Sequence, residues 1–192
     1  MPQNSFAAER TRRAILEAGI EVLSADPSAP LSEIATKAGV SRSTFHRYFS
    51  DREALRSSAT DLAEQAWDEV ADRARLEEGT GFEAYRRLCT ELLDSLSVLV
   101  WWWAATSENA QQNVEEPDET EQRIGAMIAR GHADGSMDPQ LSMEWLSSSM
   151  WAMLYMVHHL PGESGGRING FEARQQAIRS LLKAAAADPS AH

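Results

Sequence analysis

Between Ser41 and Arg52 the chain carries a run of side chains suited to polar and polyanionic partners: Arg42, Ser43, Thr44, His46, Arg47, Tyr48 and Arg52. On a helix turning about 100° per residue, Phe45 and Phe49 share one face and must point into a core. The opposite arc then carries Ser43, Thr44 and Arg47, flanked by Arg42 and His46 on one side and Tyr48 on the other. That outward set offers donors, acceptors and cations. Short hydroxyls reach base edges in a duplex groove, while a guanidinium grips guanine through two hydrogen bonds or holds a phosphate. The alternative for such an arc is a solvated helix face without a partner.

The elements that must position these residues are legible around them. Leu31, Ile34, Ala35 and Ala38 recur at i, i+3, i+4 and i+7, the apolar stripe of a short helix. Gly39 follows the stripe, where a left-handed residue closes a helix at little steric cost. Val40 covers the turn, and Ser41 is a suitable N-cap for the helix that carries the polar arc. Two short helices joined by a glycine turn form a helix-turn-helix, which presents its second helix to the DNA major groove. Ser50-Asp51-Arg52-Glu53 fits the S-x-x-E capping box, so the next helix is expected to start at Ser50. Arg52 then falls in its first turn, where free amides and the helix dipole favour a phosphate.

From about Arg10 to Leu55 the sequence resembles the tetracycline-repressor (TetR) family of bacterial one-component regulators. The resemblance runs through Ile15-Leu16-Glu17-Ala18-Gly19, Ile34-Ala35, Ala38-Gly39-Val40-Ser41, Thr44-Phe45-His46-Arg47-Tyr48-Phe49 and Arg52-Glu53-Ala54-Leu55. It implies an all-α homodimer of about nine helices per chain. Residues 1–56 would form a three-helix DNA-binding domain, and residues 57–192 a helical effector-binding and dimerisation domain. It also implies that Ser32, Arg42, Ser43 and Thr44 read bases, while His46, Arg47, Tyr48 and Arg52 mainly contact phosphates. Three positions depart from the family pattern: His46 stands where Tyr is common, Arg52 where Lys is common, and Pro30 where a Thr often starts the second helix. Arg52 preserves the charge, whereas His46 is shorter than Tyr. With Ala29 a poor N-cap before Pro30, the start of that helix is expected to be loose.

Composition bounds the rest. A chain of 192 residues with 43% hydrophobic content can bury one good-sized core and a smaller satellite domain. No apolar run approaches a membrane span, and Met1-Pro2-Gln3-Asn4-Ser5 lacks the basic-then-apolar pattern of a signal peptide. The single cysteine, Cys89, excludes an intramolecular disulfide and suits a reducing compartment, so a cytoplasmic location is expected. Residues 1–56 hold eight basic and seven acidic residues, whereas the remainder holds ten basic and twenty-two acidic. Positive charge therefore gathers at the motif, and the acidic remainder would repel DNA from other faces.

Beyond Leu55 the pattern is helical. Helices are expected over about 50–75, 82–103, 118–132, 138–158 and 171–187. Polar residues 108–118 read as a loop flanking a short helix, and Pro161-Gly162-Glu163-Ser164-Gly165-Gly166 as a separator. Trp101, Trp102, Trp103, Met127, Trp145, Trp151 and Tyr155 are candidates to line an adaptable apolar pocket for a small effector, with core and dimer packing as the alternative. Glu91, Asp94 and Glu108 lie near the Trp cluster in sequence, which favours a cationic or aromatic lipophilic molecule. The last two helices carry surplus apolar surface. Met153, Val157, Ile178, Leu181 and Leu182 are therefore candidates for a helix-pair dimer interface.

Catalytic and metal signatures are missing from the sequence. There is no H-x-x-x-H, no Cys/His cluster, no G-x-S-x-G and no phosphate-binding glycine loop. No cofactor or metal is expected. The leading function is a ligand-responsive regulator, most often a repressor in this family, that binds a palindromic operator as a homodimer. The alternative is a helical small-molecule-binding or protein-interaction module with lost DNA affinity.

Overall fold

The computed structural model describes residues 3–110 and 117–188, with side chains over 6–104 and 117–188. The described residues form nine helices: α1 (Gln3–Ala25), α2 (Leu31–Lys37), α3 (Arg42–Tyr48), α4 (Arg52–Ala74), α5 (Gly81–Asp94), α6 (Leu96–Ala110), α7 (Glu119–Ala133), α8 (Met143–Glu163) and α9 (Gly170–Ala185). The chain is all-α, as the periodicity predicts. One compact unit comprises Met1–Gln65 with Trp101–Glu108, and a second comprises Ala66–Val100 with Asn109–His192. Residue 56 lies inside α4, which contributes to both units.

In the first unit, Ile15, Leu16, Ile20 and Leu23 of α1 are buried together with Ile34, Ala35, Phe45, Phe49 and Leu55. The turn between α2 and α3 closes by a Schellman arrangement. The Val40 amide donates to the Ala35 carbonyl at 2.9 Å and the Gly39 amide to Thr36 at 3.1 Å. Gly39 has φ +68°, the left-handed conformation that disfavours a side chain. Pro30 is the N-cap of α2 and makes no side-chain cap hydrogen bond.

Three sequence expectations are corrected. The start of α4 is displaced by one residue: Asp51, not Ser50, caps it, its carboxylate accepting from the Ala54 amide at 2.9 Å. The Ser50 hydroxyl donates to that carboxylate at 2.8 Å instead of capping the helix through the Glu53 amide. The helix expected over 82–103 is two helices, α5 and α6, broken at Ser95 (φ −102°, ψ 15°). Arg73 fixes the Ser95 hydroxyl at 3.0 Å, and the Ser95 carbonyl accepts the Leu99 amide at 3.1 Å, so the new helix begins on the break. Helix α8 passes through Pro161 to Glu163. A proline so near a C-terminus removes one backbone bond, and Ser164 secures the end by donating its amide to Leu160 at 2.8 Å. Of the loop expected over 108–118, residues 111–116 lie outside the described residues, while α6 runs to Ala110 and Asp118 caps α7.

In the second unit α5 crosses α7 at two glycines. A Cβ on Gly81 would lie 2.2 Å from the Gly131 Cα, so the backbones approach as no larger residue would permit. The first amides of α5 are satisfied from the turn after α7: Gly81 donates to Asp134 at 2.9 Å and Phe82 to the Ser136 hydroxyl at 3.1 Å. Tyr85, Leu88, Leu92, Met127, Ile128, Leu146, Leu154, Val157 and Leu181 belong to the core around this crossing.

Candidate functional site

Helix α3 begins on a small hydroxyl network. The Ser41 hydroxyl accepts the Thr44 amide at 3.1 Å, donates to the Thr44 hydroxyl at 2.9 Å, and lies 3.0 Å from the Ser43 hydroxyl. The cap that starts the helix thus also orients both short hydroxyls. Phe45 and Phe49 are buried, as their spacing predicts, so the arc with Arg42, Ser43, His46 and Arg47 turns outward and is exposed. A groove between α2 and α3 is lined by Pro30, Leu31, Ser32, Ala35, Arg42, Phe45 and His46. It brings together Ser32, Arg42 and His46, three of the sequence candidates. Arg47 and Tyr48 line a second depression with Ala7, Ala8 and Thr11 of α1. The Arg47 guanidinium sits 5.4 Å from the Tyr48 ring centroid, which holds both side chains in one direction.

Arg52 has different surroundings from the other cations. Its guanidinium donates to three successive carbonyls of the loop before α2: Pro27 at 2.7 Å, Ser28 at 3.4 Å and Ala29 at 2.5 Å. Sequence spacing gives no hint of these contacts, because the acceptors are backbone atoms more than twenty residues away.

The effector candidates divide between the units. Trp101, Trp102 and Trp103 belong to the first, where Trp101 is buried under the Arg56 guanidinium, 5.2 Å from its ring centroid. Met127, Trp145, Trp151 and Tyr155 belong to the second. There Met127 is wholly enclosed in the core, Trp145 is 63% exposed, and the Tyr155 ring lies against that of His159, centroids 4.2 Å apart and planes tilted by 40°. Trp151 pairs with Trp67, ring centroids 5.5 Å apart, and the Trp67 indole donates to the Asp118 carboxylate at 3.1 Å. Trp67 was not among the sequence candidates. Its available signal is the stripe Trp67, Val70, Ala71 and Ala74, all buried on one face of α4.

Of the interface candidates, Val157 and Leu181 are buried within the chain's own α8–α9 packing, and Met153, Ile178 and Leu182 are half-buried against the same core. The large apolar side chains left exposed on α8 and α9 are instead Met143, Trp145, Tyr155, Met156 and Phe171. Burial pushes the Cys89 thiol up to about 12, so little thiolate exists there at neutral pH. Among the described residues no group of three or more His, Cys, Asp or Glu could hold a metal ion, and no helix is long and apolar enough to cross a membrane.

Comparison with known proteins bears on the same residues. Residues 15–59 match the family described as bacterial regulatory proteins, tetR family. The chain is 30% identical over 151 residues to the HTH-type transcriptional repressor LfrR of Mycolicibacterium smegmatis, covering 78% of each chain. It is 35% identical over 75 residues to the HTH-type transcriptional regulator NfxB of Pseudomonas aeruginosa, covering 39% of this chain and 40% of that one. It is also similar to the crystal structure of the TetR-like regulator LfrR from Mycobacterium smegmatis in complex with proflavine. That likeness has a TM-score of 0.63 at 26% identity and covers 93% of this chain and 97% of the other.

Proposed function

The chain belongs to the TetR family of helix-turn-helix transcriptional regulators, a family of regulators rather than enzymes, and we propose that it is a ligand-responsive repressor. In this proposal it binds a palindromic operator as a homodimer and is released by a small aromatic cation. Residues 1–56 read DNA, and residues 57–192 sense the effector and dimerise. The observation that carries the proposal is the outer surface of α3. There Ser43 and Thr44 are oriented by the Ser41 cap, beside the exposed cations Arg42 and Arg47. Hydroxyls at the N-terminus of a reading helix suit base edges, and Arg47 with Tyr48 suits the flanking phosphates.

The effector class is supported from two directions. LfrR, the relative at 30% identity, has been crystallised with proflavine, a planar aromatic cation. In this chain the Trp67–Trp151 pair and the Asp118 carboxylate put ring faces and negative charge side by side, the combination that attracts such a molecule. Release requires that the effector bind the DNA-incompetent conformation more tightly than the competent one, since equal affinity would shift nothing.

The test is titration of the protein against duplex from its own upstream region at two salt concentrations, with and without proflavine. Salt-sensitive binding is expected, together with release and saturable tryptophan quenching over one range of proflavine concentration. Quenching without any DNA binding would replace the proposal by a helical small-molecule-binding module. Operator binding with neither quenching nor release by proflavine would remove the aromatic cation as effector.

A further inference from the structure

We propose that Arg52 is a positioning residue for DNA reading, which holds the loop before α2 in place of the missing helix cap and does not serve as a phosphate contact. This rests on the reading that the α2–α3 surface binds DNA. Pro30 caps α2 with no side-chain acceptor, so the start of that helix lacks the usual local anchor. The planar fork of Arg52 supplies one from outside by donating to the carbonyls of Pro27, Ser28 and Ala29. The fork is itself fixed, because Asp51 caps α4 through the Ala54 amide and sets the first turn from which Arg52 projects. On the far side of the loop, Asp26 accepts from the Ser28 amide at 2.8 Å and from its hydroxyl at 2.6 Å. The segment is therefore held at both ends.

What the segment positions is the wall of the groove. Pro30, Leu31 and Ser32 form one side of it, and Arg42, Phe45 and His46 of α3 the other. If the 27–29 carbonyls lose their donor, the start of α2 moves relative to α3, and Ser32 no longer faces the same bases as Arg42. Three of the five N–H groups of the guanidinium are committed to internal carbonyls, which fixes it against the loop and leaves Nε–H and one Nη1–H, so any phosphate would have to come to a fork whose position the loop sets. The consequence is a role through geometry, not through charge neutralisation, and the two roles leave different signatures.

The experiment uses the full chain, duplex from its upstream region, and the variants Arg52→Ala, Arg52→Lys, Arg52→Ala with Pro30→Ser, and Arg47→Ala. Loss of the brace is expected to weaken operator binding by roughly tenfold, the effect of losing charge-assisted hydrogen bonds. The slope of log K against log salt stays at the wild-type value, whereas Arg47→Ala lowers it by about 0.9. Arg52→Lys keeps the charge but loses the fork, so it weakens binding with the slope unchanged. Pro30→Ser supplies a cap and restores binding to Arg52→Ala, which a lost phosphate contact would not permit. Independently of DNA, hydrogen exchange at the Ala29 and Glu33 amides quickens by about tenfold in Arg52→Ala. A salt slope that falls as it does for Arg47→Ala, wild-type binding by Arg52→Lys, or unchanged exchange overturns the proposal. If the wild-type protein binds no duplex, DNA reading itself fails, and the exchange measurement still decides the brace.

Discussion

Ser41 carries two consequences on one hydroxyl. As the N-cap of α3 it satisfies the Thr44 amide, and through the same oxygen it contacts the Ser43 and Thr44 hydroxyls. Replacing it with Ala is expected to cost about 1 kcal/mol of stability, measured by urea unfolding. The same variant should relax sequence preference across single-base operator substitutions while leaving the salt slope unchanged, because no cation is lost. Undiminished discrimination would mean that the hydroxyls do not read bases. Ser41 and the two buried phenylalanines were legible because a cap and a one-turn spacing are local signals. The surroundings of Arg52 were not, because a side chain that serves distant backbone carbonyls leaves no pattern in residue types. The same holds for Arg87, which donates to the carbonyls of Ala74, Arg75 and Glu78 and holds the turn where Arg75 takes φ +49°.

At the scale of elements, the boundaries that sequence misplaced are those decided by competition between neighbours. Ser50 and Asp51 both fit a cap, and the carboxylate caps through the Ala54 amide. The α5–α6 break falls at Ser95, after Asp94 and with no glycine or proline to mark it, and it depends on Arg73 reaching it from α4. The α5–α7 crossing shows how such contacts set sensitivity to mutation. Alanine in place of either glycine improves helix propensity by up to about 1 kcal/mol. At Gly81 the added methyl meets the Gly131 backbone at 2.2 Å, where no side chain can swing aside. At Gly131 it meets the buried Met137 side chain, Sδ at 2.4 Å, Cγ at 2.6 Å and Cβ at 3.1 Å, whose outer atoms can rotate away although its Cβ cannot. Gly81→Ala is therefore expected to lower stability by about 1–3 kcal/mol, the range for overpacking, and Gly131→Ala by distinctly less. Thermal melts of the two variants check the order, and equal melting temperatures would show that the crossing yields as easily at backbone as at side chain.

For the whole molecule, the acidic excess outside the first 56 residues matters for how DNA is met. With 29 acidic and 18 basic residues, affinity cannot come from net charge and must come from the surface where cations and hydroxyls coincide. The palindromic operator proposed above would further require two such surfaces on a coupled pair, and TetR-family regulators dimerise. Helical spacing alone points to Val157 and Leu181 as partners across the interface, but both are buried against the chain's own core. Periodicity distinguishes apolar from polar faces and cannot say which apolar face a chain covers by itself. The side chains that remain uncovered are more informative. Trp145 and Met156 lie eleven residues apart on α8, three turns on one face, and are 63% and 46% exposed. Met156→Asp is therefore expected to disrupt a dimer by burying an unpaired charge there, while the monomer fold persists. Val157→Asp should instead unfold the chain. Sedimentation of Met156→Asp at micromolar concentration should give a monomer with near wild-type helical content. Its operator affinity should fall by roughly a hundredfold or more, since linked binding modules gain that much from acting together. A Met156→Asp protein that remains dimeric and binds the operator as the wild type does would move the interface off this face of α8.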